Sequence, residues 1–186
     1  INPWELIELA NKHPRVNILN PGTGVGGHCI SVDPWFIVSQ NREDARIIAT
    51  ARHVNDEKPK WVIKKIEDAL EEKSKGSTES KVALFGLSFK PDIDDLRDSP
   101  AITVYESLRD SGIDVMAVEP NVTEIENIKL VNVETALSEA TVLAVLVCHK
   151  EFMESECNKL LKSNNALDFC GLFVNKVESP KISTRF

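Results

Sequence analysis

The chain has 186 residues, with 29 Asp and Glu against 22 Lys and Arg, for a net charge of −7. That balance excludes the broad basic face of a nucleic-acid binder, and no apolar run approaches the roughly 20 residues of a membrane span. The length allows one or two domains with a real core. Ile1-Asn2-Pro3-Trp4 has neither a starting Met nor the basic-then-apolar pattern of a signal peptide, as expected for part of a longer chain.

Residues 1 to about 73 read as mainly helical. Trp4, Ile7 and Leu9 give a short amphipathic start, and Val16, Ile18 and Leu19 an extended piece leading into a glycine-rich loop. Asp33-Pro34 reads as the N-cap and first residue of a new helix. From Glu43 a long helical pattern runs through Ile47, Ile48, Ala51 and Val54, then Val62, Ile63, Ile66 and Leu70. Pro59 should kink or restart it. A helix of that length suits a span between two lobes or a subunit interface. Residues 73–80 are small and polar and read as a linker.

The second half alternates. A buried strand is expected at 82–86, then a helix opened by Ser99-Pro100 and closed by Gly112, then a strand at 113–118. A short strand near 131–133 and a helix over 134–140 follow. Residues 141–147 are almost continuously apolar, as a central parallel strand should be, and a helix at 151–162 leads to a last strand at 166–169. The expected class is α/β: a helical segment with a long helix over residues 1–75, then a Rossmann-like parallel sheet over 76–186. Ligands of such sheets bind beyond the carboxyl ends of the strands, and residues 87–99 form one such end.

The richest stretch is Pro21-Gly22-Thr23-Gly24-Val25-Gly26-Gly27-His28-Cys29-Ile30-Ser31-Val32-Asp33-Pro34-Trp35-Phe36. Four glycines cost chain entropy, so something should require them. Gly22, Gly24 and Gly27 spell G-x-G-x-x-G, but no helix opens there, so the dinucleotide fingerprint is rejected. Cys29 is either a structural thiol or a nucleophile delivered by a tight loop. Asp33, four residues on, is a helix-start carboxylate that could also hold a water. Cys29, Cys148, Cys157 and Cys170 are scattered and read as reduced thiols of a cytoplasmic protein. His28-Cys29 and Cys148-His149 lack zinc-ligand spacing, and His149 reads as structural or loop-exposed. A cysteine hydrolase would need a His paired with Cys29, and His28 is badly placed for that by sequence adjacency. The charged run from Phe89 to Pro100 holds one Lys and one Arg before a helix N-terminus, a pattern suited to phosphate-bearing ligands.

Two of these runs resemble a single family. The glycine-rich stretch and Phe85-Gly86-Leu87-Ser88-Phe89-Lys90-Pro91-Asp92-Ile93-Asp94-Asp95-Leu96-Arg97-Asp98-Ser99-Pro100-Ala101 are similar to motifs of the UDP-glucose/GDP-mannose dehydrogenases. The Gly-Gly-His-Cys form, His13-Pro14-Arg15-Val16-Asn17-Ile18-Leu19 and Ala51-Arg52-His53-Val54-Asn55-Asp56 resemble the subgroup acting on UDP-N-acetyl-D-mannosamine. The resemblance implies the end of a helical middle domain plus a nucleotide-sugar-binding domain. An N-terminal NAD-binding domain and the upstream catalytic Lys and Asn would lie outside this chain.

It further implies a two-step, NAD-dependent oxidation of a sugar 6-hydroxyl to a carboxylate, with Cys29 as covalent nucleophile and Asp33 assisting with water and protons. His13, Arg15, Gly26, Phe89 and Lys90 match substrate-binding positions, with Arg15 reaching a neighbouring subunit's site, and Arg97 matches a residue that reaches the NAD phosphates. A UDP-sugar substrate, a homodimer through the middle domain, and an inactive fragment in isolation are the corresponding expectations. The alternatives are a nucleotide-sugar-binding or dimerisation module whose Cys29 does no chemistry, and a dehydrogenase of another UDP-sugar. One departure stands out: Cys170, before Gly171, occupies a position that is usually basic in the family.

Overall fold

Val82 to Phe85 is buried on both sides, and each side feeds a different core. Val82 and Leu84 point into one apolar cluster, Ala83 and Phe85 into a second. That is why the strand reads as a continuous apolar run and not as an alternation. The structure, a computed structural model, describes residues 2–74 and 80–174. Residues 75–79 of the expected linker and the last residues of the expected second domain lie outside the described residues.

The elements in chain order are α1 (Pro3–Asn11), α2 (Asp33–Gln40), α3 (Arg46–Asp56), α4 (Lys58–Lys73), β1 (Lys81–Phe85), α5 (Pro100–Asp110), β2 (Asp114–Val118), α6 (Val133–Glu139), β3 (Val142–Val145), α7 (Lys150–Met153), α8 (Ser155–Ser163) and β4 (Leu167–Asp168). The four strands are parallel in the order β2-β1-β3-β4. Phe85 pairs with Val118 on one side and Val145 on the other. Helices α4 and α5 supply Val62, Ile66, Leu70, Val104 and Leu108 to one face. Ala136 of α6, Phe152 of α7 and Leu161 of α8 cover the other. Each of these side chains except Ala136 contributes about 1.5–3 kcal/mol of burial. The chain leaves β1 toward β2 and returns to β3 on the opposite side, so the strand order reverses between β1 and β3 and opens a crevice at their carboxyl ends.

The helix restarts at Pro59 as expected, while several boundaries change. The break at Glu57 separates α3 from α4, and Pro59 sits in the first turn of α4, where its missing N–H costs nothing. Helix α3 begins at Arg46, not Glu43. The cap of α2 falls on Val32, with Asp33 the first helical residue and no side-chain capping bond. The extended piece at Val16–Leu19 is not a strand: Asn11 clasps Ile18 through both backbone groups, at 2.7 and 2.9 Å. The strand expected near Val131 shrinks to one bridge between Ala117 and Leu130, because Asn132 caps α6 by accepting the Thr135 N–H at 2.8 Å. The helix after β3 splits at Glu154, whose extended ψ of 139° ends α7.

The core of the sheet also crosses the boundary expected at residue 75, because the apolar face of α4 belongs to it. By contrast α1 buries nothing, and α1–α3 expose Leu9, Phe36, Ile47 and Val54. Helix α1 is tied to the sheet's far end by Trp4, whose ring fills the space a side chain at Gly171 (φ +79°) would need.

Candidate functional site

Two loops far apart in sequence meet. The glycine-rich loop lies on the β1–α5 loop, residues 86–99, at the carboxyl end of β1. The Gly27 N–H donates to the Arg97 carbonyl at 3.1 Å, and the Ser31 hydroxyl, which donates to the Gly27 carbonyl, lies 3.3 Å from the Asp98 carboxylate. A side chain at Gly26 would run into the Asp98 carbonyl oxygen and Pro100. One at Gly27, where φ is +93°, would lie 2.9 Å from the Phe89 ring. These glycines are required by close approach to the protein's own second loop. From the other side α3 holds the loop: Asn55 bonds both backbone groups of Val25, at 2.8 and 3.2 Å, and Arg52 reaches the Ile30 carbonyl at 3.4 Å.

This packing buries Gly26 and Gly27 and leaves His28 and Cys29 exposed. The His28 Nδ1 contacts the Cys29 Sγ at 2.9 Å, so the ring that sequence adjacency made an unpromising partner does reach the thiol. The Cys29 carbonyl accepts from the Asp33 N–H at 2.8 Å, which sets the exposed Asp33 one turn from the thiol at the start of α2.

Arg97 forks onto Asp95, with Nε at 3.0 and 3.1 Å from the two carboxylate oxygens and Nη2 at 2.6 Å. Side-chain and then backbone bonds from Arg97 pull the Asp95 pKa down to about 2. Arg97 is held above its ordinary value chiefly by the bond to Asp95, with a small electrostatic contribution from Cys29. Its side chain is 65% exposed.

Phe89 is half-buried and Lys90 exposed, with the ammonium 5.7 Å from the Phe89 ring centre. His13 and Arg15 are exposed on the loop after α1, where the Arg15 N–H donates to His13 Nδ1 at 3.2 Å. Thus Gly26, Cys29, Asp33, Phe89 and Arg97 are gathered on the two joined loops, while the polar contact of His13 and Arg15 is local.

The sequence reading missed a buried polar cluster below this surface. Glu119 follows β2 and His149 follows β3, and their side chains, neither exposed, meet at 3.2 Å. The Glu119 carboxylate also accepts the N–H groups of Leu87 at 2.7 Å, Ser88 at 3.1 Å and Asn121 at 3.0 Å. Burial alone would raise Glu119, but the bonds from His149, Leu87 and Asn121 outweigh it and hold the carboxyl below its usual range. The available signal was position: both residues stand directly beyond apolar strands, at the carboxyl ends where such sheets work.

Cys170 is pushed far up by its bond to Cys148, by burial and by Asp168, and Cys157 is raised chiefly by burial. The Asp168 carboxylate gathers the N–H groups of Cys170, Gly171, Leu172 and Phe173, at 2.7–3.1 Å, and so fixes the turn that carries Cys170.

A parallel sheet with a strand-order reversal and helices on both faces defines a Rossmann-like α/β protein, and the thiol-bearing loop is docked at the carboxyl end of β1. Residues 83–175 match the UDP-glucose/GDP-mannose dehydrogenase family, UDP binding domain, and residues 1–57 match that family's central domain. The chain belongs to the UDP-glucose/GDP-mannose dehydrogenase family.

It is 54% identical over 169 residues to the UDP-N-acetyl-D-mannosamine dehydrogenase of Campylobacter jejuni, covering 87% of this chain and 40% of that protein. It is 45% identical over 181 residues to the NDP-N-acetyl-D-galactosaminuronic acid dehydrogenase of Ralstonia nicotianae, covering 95% and 42%. Among solved structures, the UDP-D-ManNAc dehydrogenase of Pyrococcus horikoshii superposes with a TM-score of 0.77 at 31% identity, over 98% of this chain and 43% of that one. The UDP-N-acetyl-mannosamine dehydrogenase of Staphylococcus aureus gives 0.67 at 41% identity, over 83% and 36%. The chain therefore spans about 40% of the length of the curated relatives it matches.

Proposed function

We propose that this chain carries the nucleotide-sugar and thiol part of an NAD-dependent UDP-N-acetyl-D-mannosamine 6-dehydrogenase. The observation that carries the reading is the seating of exposed Cys29 on a loop that is locked, through the Gly27 N–H to the Arg97 carbonyl at 3.1 Å and the close approach of Gly27 to the Phe89 ring, to the loop that bears Phe89, Lys90 and Arg97. The name of the Campylobacter jejuni relative supports the choice of sugar.

In this reading Lys90 meets the diphosphate as a point charge and Phe89 offers its ring to the ligand. His13 and Arg15 contact substrate, Arg15 from a neighbouring subunit. Gly26 keeps the thiol loop flush against residues 86–99, so its contact with the sugar is through backbone.

NAD supplies the hydride acceptor for both oxidations. Arg97 fits its phosphates: the bonds to Asp95 use Nε and Nη2, and Nη1 makes none among the described residues. Oxidation of the 6-hydroxyl yields an aldehyde. The Cys29 sulfur attacks the aldehyde carbon, and the oxygen takes a proton, giving a thiohemiacetal. Loss of the C6 hydride and the hydroxyl proton leaves a thioester. Water, held by Asp33, adds to that carbon; the C–S bond breaks, releasing the carboxylate and restoring the thiol. Two hydrides leave and one water is consumed.

A second copy of the chain is proposed to cover the apolar side chains that α1–α3 expose, and a cytoplasmic setting fits its reduced thiols. Among the described residues, no helix is long and apolar enough to cross a membrane. Calorimetry with UDP-N-acetylmannosamine, UDP-N-acetylglucosamine and UDP-glucose tests the site, and the first should bind tightest. Joined to an NAD-binding domain, the protein should form two NADH per UDP-N-acetylmannosamine, and Cys29→Ser none. Binding of no UDP-sugar, or NADH formation by Cys29→Ser, would overturn the reading.

A further inference from the structure

We propose that His149 is a positioning residue for nucleotide-sugar binding: one buried imidazole pins the Phe89-Lys90-Pro91 arc at both of its ends. The inference rests on the reading of Phe89 and Lys90 as ligand contacts. It assigns a role to a residue that touches neither ligand nor thiol.

The argument starts from which atoms can donate. The Asp92 N–H, a backbone donor only, points at His149 Nδ1 at 2.9 Å, so Nδ1 offers its lone pair. The Asn121 side-chain amide nitrogen lies 3.0 Å from the same atom and competes for its one lone pair. The proton of a neutral ring is then on Nε2. Ser88 Oγ gives its single hydrogen to the Lys90 carbonyl at 2.8 Å, so at 3.2 Å it accepts from His149 Nε2. Glu119 Oε2 shares that Nε2–H at 3.2 Å. The ring is wholly buried and lies edge-on to Phe152, with centroids 5.5 Å apart. Both nitrogens are therefore committed to fixed partners.

Those partners bracket the arc. Ser88 is anchored on one side of Phe89 and Lys90, Asp92 on the other. Asp92 has φ +61°, a left-handed conformation that Asp tolerates only where local bonds hold it. Its carboxylate supplies one more, accepting the Lys150 N–H at 2.8 Å. The arc is thus closed from below by His149 and from the side by the start of α7, and the Lys90 ammonium is presented from a backbone with little freedom left. Pre-ordering of this kind is recovered as affinity, because binding need not order the loop. The same bonds dispose of another reading: Asp92, His149 and Glu151 approach one another within 4.8 Å, but the Nδ1 lone pair that a cation would need is already in use.

The test titrates UDP into the chain by calorimetry, with His149→Asn, His149→Gln and Lys90→Ala beside the parent, and follows amide exchange at Asp92. Asn keeps an acceptor near Nδ1, whereas Gln keeps only a donor near Nε2. Asn is the smaller side chain and loses more packing at this buried site, so a merely structural role would weaken Asn more than Gln. His149→Gln should weaken UDP about tenfold, the equivalent of one lost hydrogen bond, and speed exchange at Asp92. His149→Asn should stay within about threefold of the parent. If Lys90→Ala weakens UDP but His149→Gln binds like the parent, or if His149→Asn weakens as much as His149→Gln or more, the positioning role is overturned. If the parent fails to bind UDP, or Lys90→Ala binds as well as the parent, the reading of the site itself fails, and with it this inference.

Discussion

The Glu119 carboxylate and the His149 imidazole come from the ends of β2 and β3, strands that do not pair with each other, and meet 3.2 Å apart over the end of β1. Glu119 is the hub: it takes one N–H from each of Leu87, Ser88 and Asn121 as well as the His149 bond. Glu119→Gln puts an amide NH₂ among these donors and should cost about 1–3 kcal/mol at neutral pH. The sign of the pH effect follows from the lowered folded-state pKa. Such a carboxylate stabilises the fold above its unfolded value of 4.5, and the contribution is lost as pH falls through the lower folded value. Urea denaturation across pH 7 to 3 should therefore show the gap between parent and Glu119→Gln narrowing below about 4.5. A gap that stays constant across this range would contradict it.

The glycines of the thiol loop differ in what they face. Gly26→Ala meets the Asp98 carbonyl, and Gly27→Ala meets the Phe89 ring at a φ of +93°. Nothing lies within 4 Å of a side chain at Gly22. Gly26→Ala and Gly27→Ala should each lower stability by about 1–3 kcal/mol and change the rate of Cys29 alkylation, and Gly22→Ala should do neither. Equal behaviour of all three would refute the docking of the two loops.

What the sequence made legible follows from physical range. The strands announced themselves because the inner residues of β1, β2 and β3 are covered on both faces and so are apolar, as Val82 to Phe85 shows. Ser99-Pro100 and Gly112 marked the limits of α5 because caps are local chemistry: Ser99 accepts the Ala101 N–H, and Gly112 has φ +83°. Cys29, Asp33, Phe89 and Arg97 could be picked out through their motifs, but their meeting could not, because it depends on packing of Gly26 against Pro100 across the fold. His149 reads from the sequence as structural or loop-exposed; the structure buries it, and the groups it joins were illegible for the same reason. Its partners Ser88, Asp92 and Glu119 lie far away in sequence, and only the strand order brings them to it.

Helix α4 offers a direct probe of where the sheet domain begins. Ile66 is fully buried in the cluster formed with Val82, Leu84 and Val104. Ile66→Ala should cost about 2–5 kcal/mol, and the loss should appear in the unfolding of the sheet itself. Hydrogen exchange at β1 amides is the measurement. Unchanged protection at Val82 and Leu84, with loss confined to α1–α3, would assign α4 to the helical segment instead.

The four cysteines should separate sharply by reactivity. Alkylation proceeds through the thiolate and needs access. Cys148 is buried, Cys157 is raised by burial with Glu154 and Glu134 beside it, and Cys170 is raised by its bond to Cys148 and by burial. Cys29 is exposed, with His28 in contact and the Arg97 guanidinium nearby. Iodoacetamide at pH 8 followed by peptide mass spectrometry should label Cys29 first, at least about tenfold faster than Cys148 or Cys170. Asp95→Asn should alter that rate, because the unpaired Arg97 gains freedom to turn toward the sulfur, whereas Arg109→Gln, whose partner Asp110 is remote from the loop in the fold, should not. Labelling of Cys157 or Cys170 ahead of Cys29 would remove the case for Cys29 as the thiol that this fold presents for chemistry.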